Sequence, residues 1–122
     1  MTDGTRRLKK LVWLVDTLDT LKGFPQGVRQ KLGFALYQAR IGQKYENAKQ
    51  LRGFDMPVWE ARADDASGTF RAMYAVHFQE EVYVLHAFQK KSKSGIATPR
   101  REIDLIRKRL KLARNIAGQK ED

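Results

Sequence analysis

Two periodicities of apolar residues divide this chain. Residues 25–41 set Val28, Leu32, Ala35, Leu36 and Ala39 at the i, i+4, i+7, i+8, i+11 rhythm of one helical face. Arg29, Gln30, Lys31, Gln38 and Arg40 take the other side. Pro25 opens this pattern and Gly42 suits its C-terminal stop. From residue 58 the pattern turns strand-like. Residues 58–63 read as one strand, Asp64-Asp65-Ala66-Ser67-Gly68 as a turn, and residues 69–78 as a second strand. Phe70, Ala72, Tyr74, Val76 and Phe78 share one face of that second strand. Gln79-Glu80-Glu81 is a tight connection into a third strand, residues 82–89, rich in β-branched and aromatic residues. Its alternation places His86 with Val82, Val84 and Phe88.

The flanks follow the same logic. Residues 1–10 are polar and basic and are expected to fray. Leu11-Val12-Trp13-Leu14-Val15 reads as a buried or edge strand, although so short an apolar run does not by its period exclude a helix start. Asp16 or Thr17 caps a short helix running to residue 22, which Gly23 ends. Residues 43–57 read as a connection anchored by Leu51 and Phe54. Thr98 is a good N-cap and Pro99 fits a first helical position, so a last helix runs from there to about residue 116. Ile103, Ile106, Leu110 and Ala113 give it a narrow apolar stripe. The order strand, two helices, three-stranded antiparallel meander, helix predicts one α+β domain over residues 1–122.

Composition narrows the chemistry. The chain has no cysteine, which excludes disulfides, a thiol nucleophile and zinc-thiolate sites. No apolar run approaches a membrane span, and residues 11–15 are too short for a signal peptide, so a cytoplasmic location and no membrane partner are expected. The formal net charge is +10, and residues 90–114 hold ten Lys/Arg against two acids, so +8 of it lies in the last quarter. Charge so concentrated favours a polyanion partner, nucleic acid first and an acidic protein second. The competing reading, better for an isolated basic helix, is a solvated face.

No Gly-rich phosphate loop, nucleophile elbow or HExxH is present, and no residues have metal-ligand spacing, so no metal or cofactor is expected. The cations suggest metal-free chemistry. Arg62 ends the first meander strand and Arg71 begins the second, so they lie near one another across the hairpin. Lys90 and Lys91 leave the third strand at that same end. Four cations gathered there can hold a phosphodiester and stabilise charge building on its oxygens. For any one Arg, pairing with an acid such as Glu60 or Asp64 is the commoner outcome. Lys93 follows on a Ser/Gly-bearing loop leading to the helix mouth at Thr98-Pro99, where backbone N–H groups also favour anions. His86 in an apolar strand is more often packed than catalytic, yet His is the natural proton carrier near neutral pH. His77, near a strand end, is a weaker candidate. Trp59, Tyr74 and Phe88 default to the core, but an aromatic at the open edge of the cluster stacks an unpaired base, and the Tyr74 hydroxyl can assist proton transfer.

These residues carry a resemblance. The runs Leu51-Arg52-Gly53, Val58-Trp59-Glu60-Ala61-Arg62, Phe70-Arg71-Ala72-Met73-Tyr74 and Val84-Leu85-His86-Ala87-Phe88-Gln89-Lys90-Lys91, then Thr98-Pro99 and Glu102-Ile103, resemble the phage-derived Gp49-like family, which belongs with the HigB-type toxins of the RelE/ParE superfamily. The likeness covers roughly residues 11–114, and its most specific part is the block from the third strand to the helix start. It implies a compact RelE-like α+β fold and the toxin of a type II toxin–antitoxin system. RelE-like members are ribosome-dependent mRNA endoribonucleases that use the RNA 2′-hydroxyl as nucleophile without a metal. Carried over, Arg62 and Arg71 match the basic strand positions, with Arg71 on the phosphate. Lys90 and Lys91 match the basic pair after the strand and are candidates for proton transfer. His86 completes the catalytic candidates. Lys93, Arg100, Arg101, Arg107, Lys108, Tyr74 and Phe88 are the candidate RNA contacts. Many RelE-like enzymes keep a Tyr or His near the C-terminus, whereas no aromatic follows Phe88 here. The implied partners are a cognate helix-turn-helix antitoxin of HigA type, the ribosome and mRNA. ParE-like members share the fold but poison DNA gyrase without cutting RNA, so a gyrase-binding toxin or an inactive RNA-binding relative is the alternative.

Overall fold

A computed structural model describes residues 8–77, 80–90 and 98–121. A five-stranded mixed sheet is the framework. Its strands are β1 (Lys10–Trp13), β2 (Ala48–Leu51), β3 (Val58–Asp65), β4 (Gly68–His77) and β5 (Glu81–Lys90), in the order β1-β5-β4-β3-β2. The expected meander is its centre, with β3, β4 and β5 paired antiparallel. The run at residues 11–15 supplies the parallel edge strand β1, in register Leu11 with Val82 and Trp13 with Val84. Strand β2 corrects the expected connection over residues 43–57: it pairs with β3, Ala48 opposite Ala61 and Leu51 opposite Val58. Its inner residues Lys49 and Gln50 are exposed, so this edge strand has no alternating apolar signal.

Helices cover both faces. On one lie α1 (Thr17–Lys22) and α2 (Gln26–Arg40), whose Leu21, Val28, Leu32, Ala35 and Leu36 pack on Phe70, Ala72, Tyr74, Val82 and Val84. Gly42 follows α2 at φ +80, the left-handed stop that glycine permits. On the other face α3 (Arg100–Glu121) buries Ile106, Leu110, Ala113 and Ala117 against Val58, Met73, Ala75, Tyr83 and Leu85. Ala117 continues the apolar stripe by another turn, which carries α3 past the expected stop near residue 116.

Two local features shape the end of the sheet that matters below. The β3–β4 hairpin turns at Ala66-Ser67, where Asp65 Oδ1 accepts from the Ser67 amide at 2.7 Å and its hydroxyl at 2.6 Å. Gly68 completes the turn at φ +141, and Gln89 Nε2 donates to Ser67 O at 2.8 Å, fixing β5 to the hairpin. In β5 the register steps from Tyr74–Val84 to Met73–His86, leaving Leu85 as an extra residue. This bulge turns His86 to the α3 side, which corrects its expected placement with Val82 and Val84.

Candidate functional site

Strand pairing gathers the candidate cations. Arg62 lies directly opposite Arg71, Glu60 opposite Lys49, and Lys90 opposite Thr69. Alternation then sets Lys49, Glu60, Arg62, Arg71 and Lys90 on the α3 face, at the hairpin end of the sheet. Arg62, Arg71 and Lys90 are three of the four expected cations; the fourth, Lys91, lies outside the described residues, and Lys49 is an addition.

The centre of this group is a carboxylate. Glu60 Oε2 accepts from Arg71 Nη1 at 3.0 Å and from Thr98 Oγ1 at 3.0 Å, and Lys49 Nζ lies 3.8 Å from Oε1. Glu60 and Arg71 are each 2% exposed. Arg71 is therefore a buried, oriented guanidinium rather than a surface cation. Arg62 is at the rim, half-exposed, and reaches Asp64 at 3.3 Å. Both arginines thus have the acid partners that the competing reading gave them, yet they stay in one cluster. Lys90 is 8% exposed. Burial and then the adjacent Arg71 hold its ammonium below the usual lysine range; Glu60 pulls the other way, and Lys49 and Arg62 add smaller downward pushes. Thr98, expected as a helix N-cap, points its hydroxyl at Glu60, while Pro99 O accepts from the Glu102 and Ile103 amides to start α3.

His86 sits one residue pair further along the same face. Its Nε2 is 2.6 Å from Glu102 Oε1, and Arg109 Nη1 is 3.4 Å from its Nδ1. A guanidinium only donates, so Nδ1 accepts and Nε2–H points to the carboxylate. Arg109 also donates to Leu85 O at 3.1 Å and Asp16 Oδ1 at 3.2 Å, and Phe88 stacks on the ring at 5.3 Å. Both nitrogens of His86 are thus engaged by α3. The ring anchors that helix and presents neither nitrogen to the cations.

The aromatic and helical candidates separate by location. Tyr74 is buried on the α2 face, opposite the cations, where burial pushes its hydroxyl up to about 12. With Trp59 it lines a cavity of about 280 Å³ rimmed by Lys9 and Lys44. Tyr74 thus takes the core position that was its default, on the face away from the cations with which it was grouped as a candidate RNA contact. Arg100, Arg101, Arg107 and Lys108 are exposed along α3. Arg107 lies over the Phe54 ring at 5.3 Å and donates to Gly53 O at 3.3 Å. Together with Arg114, which pairs with Asp55, it lines a second cavity of about 390 Å³. Lys91, Lys93 and the loop expected to carry phosphate lie outside the described residues.

Sequence reasoning missed Glu60 as an organising group, together with Lys49, Thr98 and Arg109. One signal was available: the alternation Glu60, Arg62 sets a carboxylate beside a cation on one strand face. Chemically, the group is four cations set around one buried carboxylate, with one lysine of lowered proton affinity. Among the described residues no group of three or more His, Asp or Glu side chains is arranged to hold a metal ion, and no helix is long and apolar enough to cross a membrane.

Comparison with known proteins gives the fold a relative. The E. coli toxin RelE, solved as a double-arginine mutant in the free state, superposes with a TM-score of 0.54 at 17% identity, over 71% of this chain and 88% of that one. The five-stranded α+β architecture is thus RelE-like. No curated protein sequence matches the chain. The family model described as phage derived protein Gp49-like matches residues 19–111, from within α1 to about the middle of α3 and including Lys49, Glu60, Arg62, Arg71 and Lys90. The chain belongs to this Gp49-like family.

Proposed function

We propose that the chain is the toxin of a type II toxin–antitoxin system and cleaves ribosome-bound mRNA without a metal. The observation that carries this reading is the convergence of Lys49, Arg62, Arg71 and Lys90 around Glu60 at one end of a RelE-like sheet. Such a group suits the charge development of phosphodiester cleavage. The RNA 2′-oxygen attacks the adjacent phosphorus and loses its proton to a base. The P–O5′ bond breaks, and the 5′-oxygen takes up a proton. The products are a 2′,3′-cyclic phosphate and a 5′-hydroxyl.

In this scheme Arg71, aimed by Glu60, faces the charge on the phosphate, and rim-exposed Arg62 captures the strand. Lys90 moves a proton, because its lowered affinity brings it nearer to neutral pH. Arg100, Arg101, Arg107 and Lys108 on α3 follow ribosomal RNA phosphates. An acidic antitoxin of helix-turn-helix type complements the +10 charge, and the setting is cytoplasmic.

Expression from a tightly regulated promoter, with mRNA 5′ ends mapped alongside growth, tests this. Growth arrest with new cuts in translated messages, lost in Lys90→Ala with folding intact, supports the ribonuclease. Arrest without cuts moves the target to a protein such as gyrase, docked on the α3 cations. Absence of arrest leaves an RNA-binding relative.

A further inference from the structure

We propose that Glu60 is the positioning residue of the cation cluster: its buried carboxylate aims the Arg71 guanidinium, ties the start of α3 to the sheet through Thr98, and supplies the cluster's internal counter-charge. The proposal deepens the ribonuclease reading and rests on it for its catalytic consequence.

The geometry argues for more than a structural ion pair. A single oxygen, Oε2, takes both the Arg71 and the Thr98 donors at 3.0 Å, which leaves Oε1 facing Lys49 at 3.8 Å. The carboxylate is therefore bound from three segments: β4, β2 and the residue leading into α3. The four cations come from β2, β3, β4 and β5, and like charges gathered on one face repel one another. Among the described acids near them, Asp64 lies half-exposed at the rim with Arg62, whereas Glu60 lies inside. A buried guanidinium without such a partner would be costly, and one with a mobile partner would not be aimed.

The groups that face Lys90 are Arg71 from β4, Glu60 and Arg62 from β3, and Lys49 from β2. Glu60 alone among them favours the Lys90 ammonium. Its removal leaves three cations acting on Lys90 and drops the lysine's proton affinity further. An inert spacer carboxylate elsewhere in the fold would not move Lys90 at all.

The test uses the full chain with ¹³C-labelled lysine and follows the Lys90 side-chain resonance against pH in wild type, Glu60→Gln and Glu60→Asp. This readout needs no substrate, so it stands even if the chain cleaves no RNA. Glu60→Gln is expected to move the Lys90 midpoint downward. Glu60→Asp keeps the charge, so the midpoint stays near wild type. Because aspartate is one methylene shorter, it draws the carboxylate away from Arg71. Ribosome-dependent cleavage is then expected to fall by roughly 10²-fold in both variants, the scale of losing one preorganised electrostatic group. If Glu60→Gln does not fold, Glu60→Asp carries the test through its loss of rate at an unmoved Lys90 midpoint. An unmoved midpoint in folded Glu60→Gln overturns the proposal, as does full cleavage by Glu60→Asp. If wild type cleaves nothing while the midpoint still moves in Glu60→Gln, the ribonuclease reading fails and the electrostatic role of Glu60 stands.

Discussion

Arg71 Nη1 donates to Glu60 Oε2 at 3.0 Å, and neither residue is more than 2% exposed. Breaking one side of such a pair leaves a buried charge uncompensated, at a cost of about 3–5 kcal/mol. Arg71→Met is expected to lower unfolding stability by that amount, whereas the double substitution Glu60→Leu/Arg71→Met recovers most of it. Urea unfolding of both proteins checks this. A small loss in Arg71→Met would mean that Glu60 is satisfied by Thr98 and Lys49 alone. The result also governs functional work, because loss of activity in an Arg71 variant counts only when its fold is verified.

The pH dependence of stability separates two groups on opposite faces of the sheet. Lys90 binds its proton less well in the fold than in the unfolded chain. The unfolded chain therefore holds more protons between the lowered value and 10.5, and stability rises with pH across that window. Lys90→Met removes this rise, so the variant gains most against wild type at neutral pH and the gap closes toward pH 10.5. Tyr74 behaves oppositely, with its hydroxyl raised from 10.0 to about 12. Its contribution is present below pH 10 and is lost between pH 10 and about 12, so Tyr74→Phe flattens that fall. Urea midpoints measured against pH for the three proteins give both slopes.

His86 is expected to matter for the attachment of α3. Substitution by Phe keeps a ring against Phe88 but removes the bonds to Glu102 and Arg109. Stability is expected to fall by about 1–3 kcal/mol, with faster amide exchange across the first turns of α3. Cleavage per folded molecule stays at the wild-type rate. A rate loss on the order of 10²-fold without loss of stability would instead make His86 a proton-transfer group.

Gly68 is a test of the hairpin that brings Arg62, Arg71 and Lys90 together. Its φ of +141 disfavours any side chain, and a Cβ there would come within 2.9 Å of Gln89 Nε2. Gly68→Ala is expected to cost more than about 1 kcal/mol and to release Gln89 from Ser67. Thermal unfolding and the Gln89 side-chain amide shifts report the two effects.

Much of this molecule was legible in its sequence because the signals were local. The α2 face, the β3–β4–β5 meander, the Gly42 stop and the approach of Arg62 to Arg71 all follow from period and turn chemistry. What was not legible depends on long-range pairing. Strand β2 is a polar edge whose identity comes from Ala61 and Val58 across the sheet. The bulge at Leu85-His86 lies in a strand buried on both faces, where Val82, Tyr83, Val84 and Leu85 run without apolar–polar alternation and a change of face leaves no trace in the pattern. Glu60 likewise reads as one acid in a strand, since the partners that define it, Arg71, Thr98 and Lys49, lie 11, 38 and 11 residues away. The expected cluster held Arg62, Arg71 and Lys90 but not Lys49, and it gave Glu60 no part beyond that of an acid partner.

The most direct test of the account is cleavage of a translated mRNA on purified ribosomes by the purified chain, with excess chelator present and Lys90→Met as the control. The account expects cuts with 2′,3′-cyclic phosphate and 5′-hydroxyl ends, unaffected by the chelator and reduced by at least roughly 10²-fold in the variant. Intact mRNA, or cuts that vanish with the chelator or persist undiminished in Lys90→Met, would contradict it.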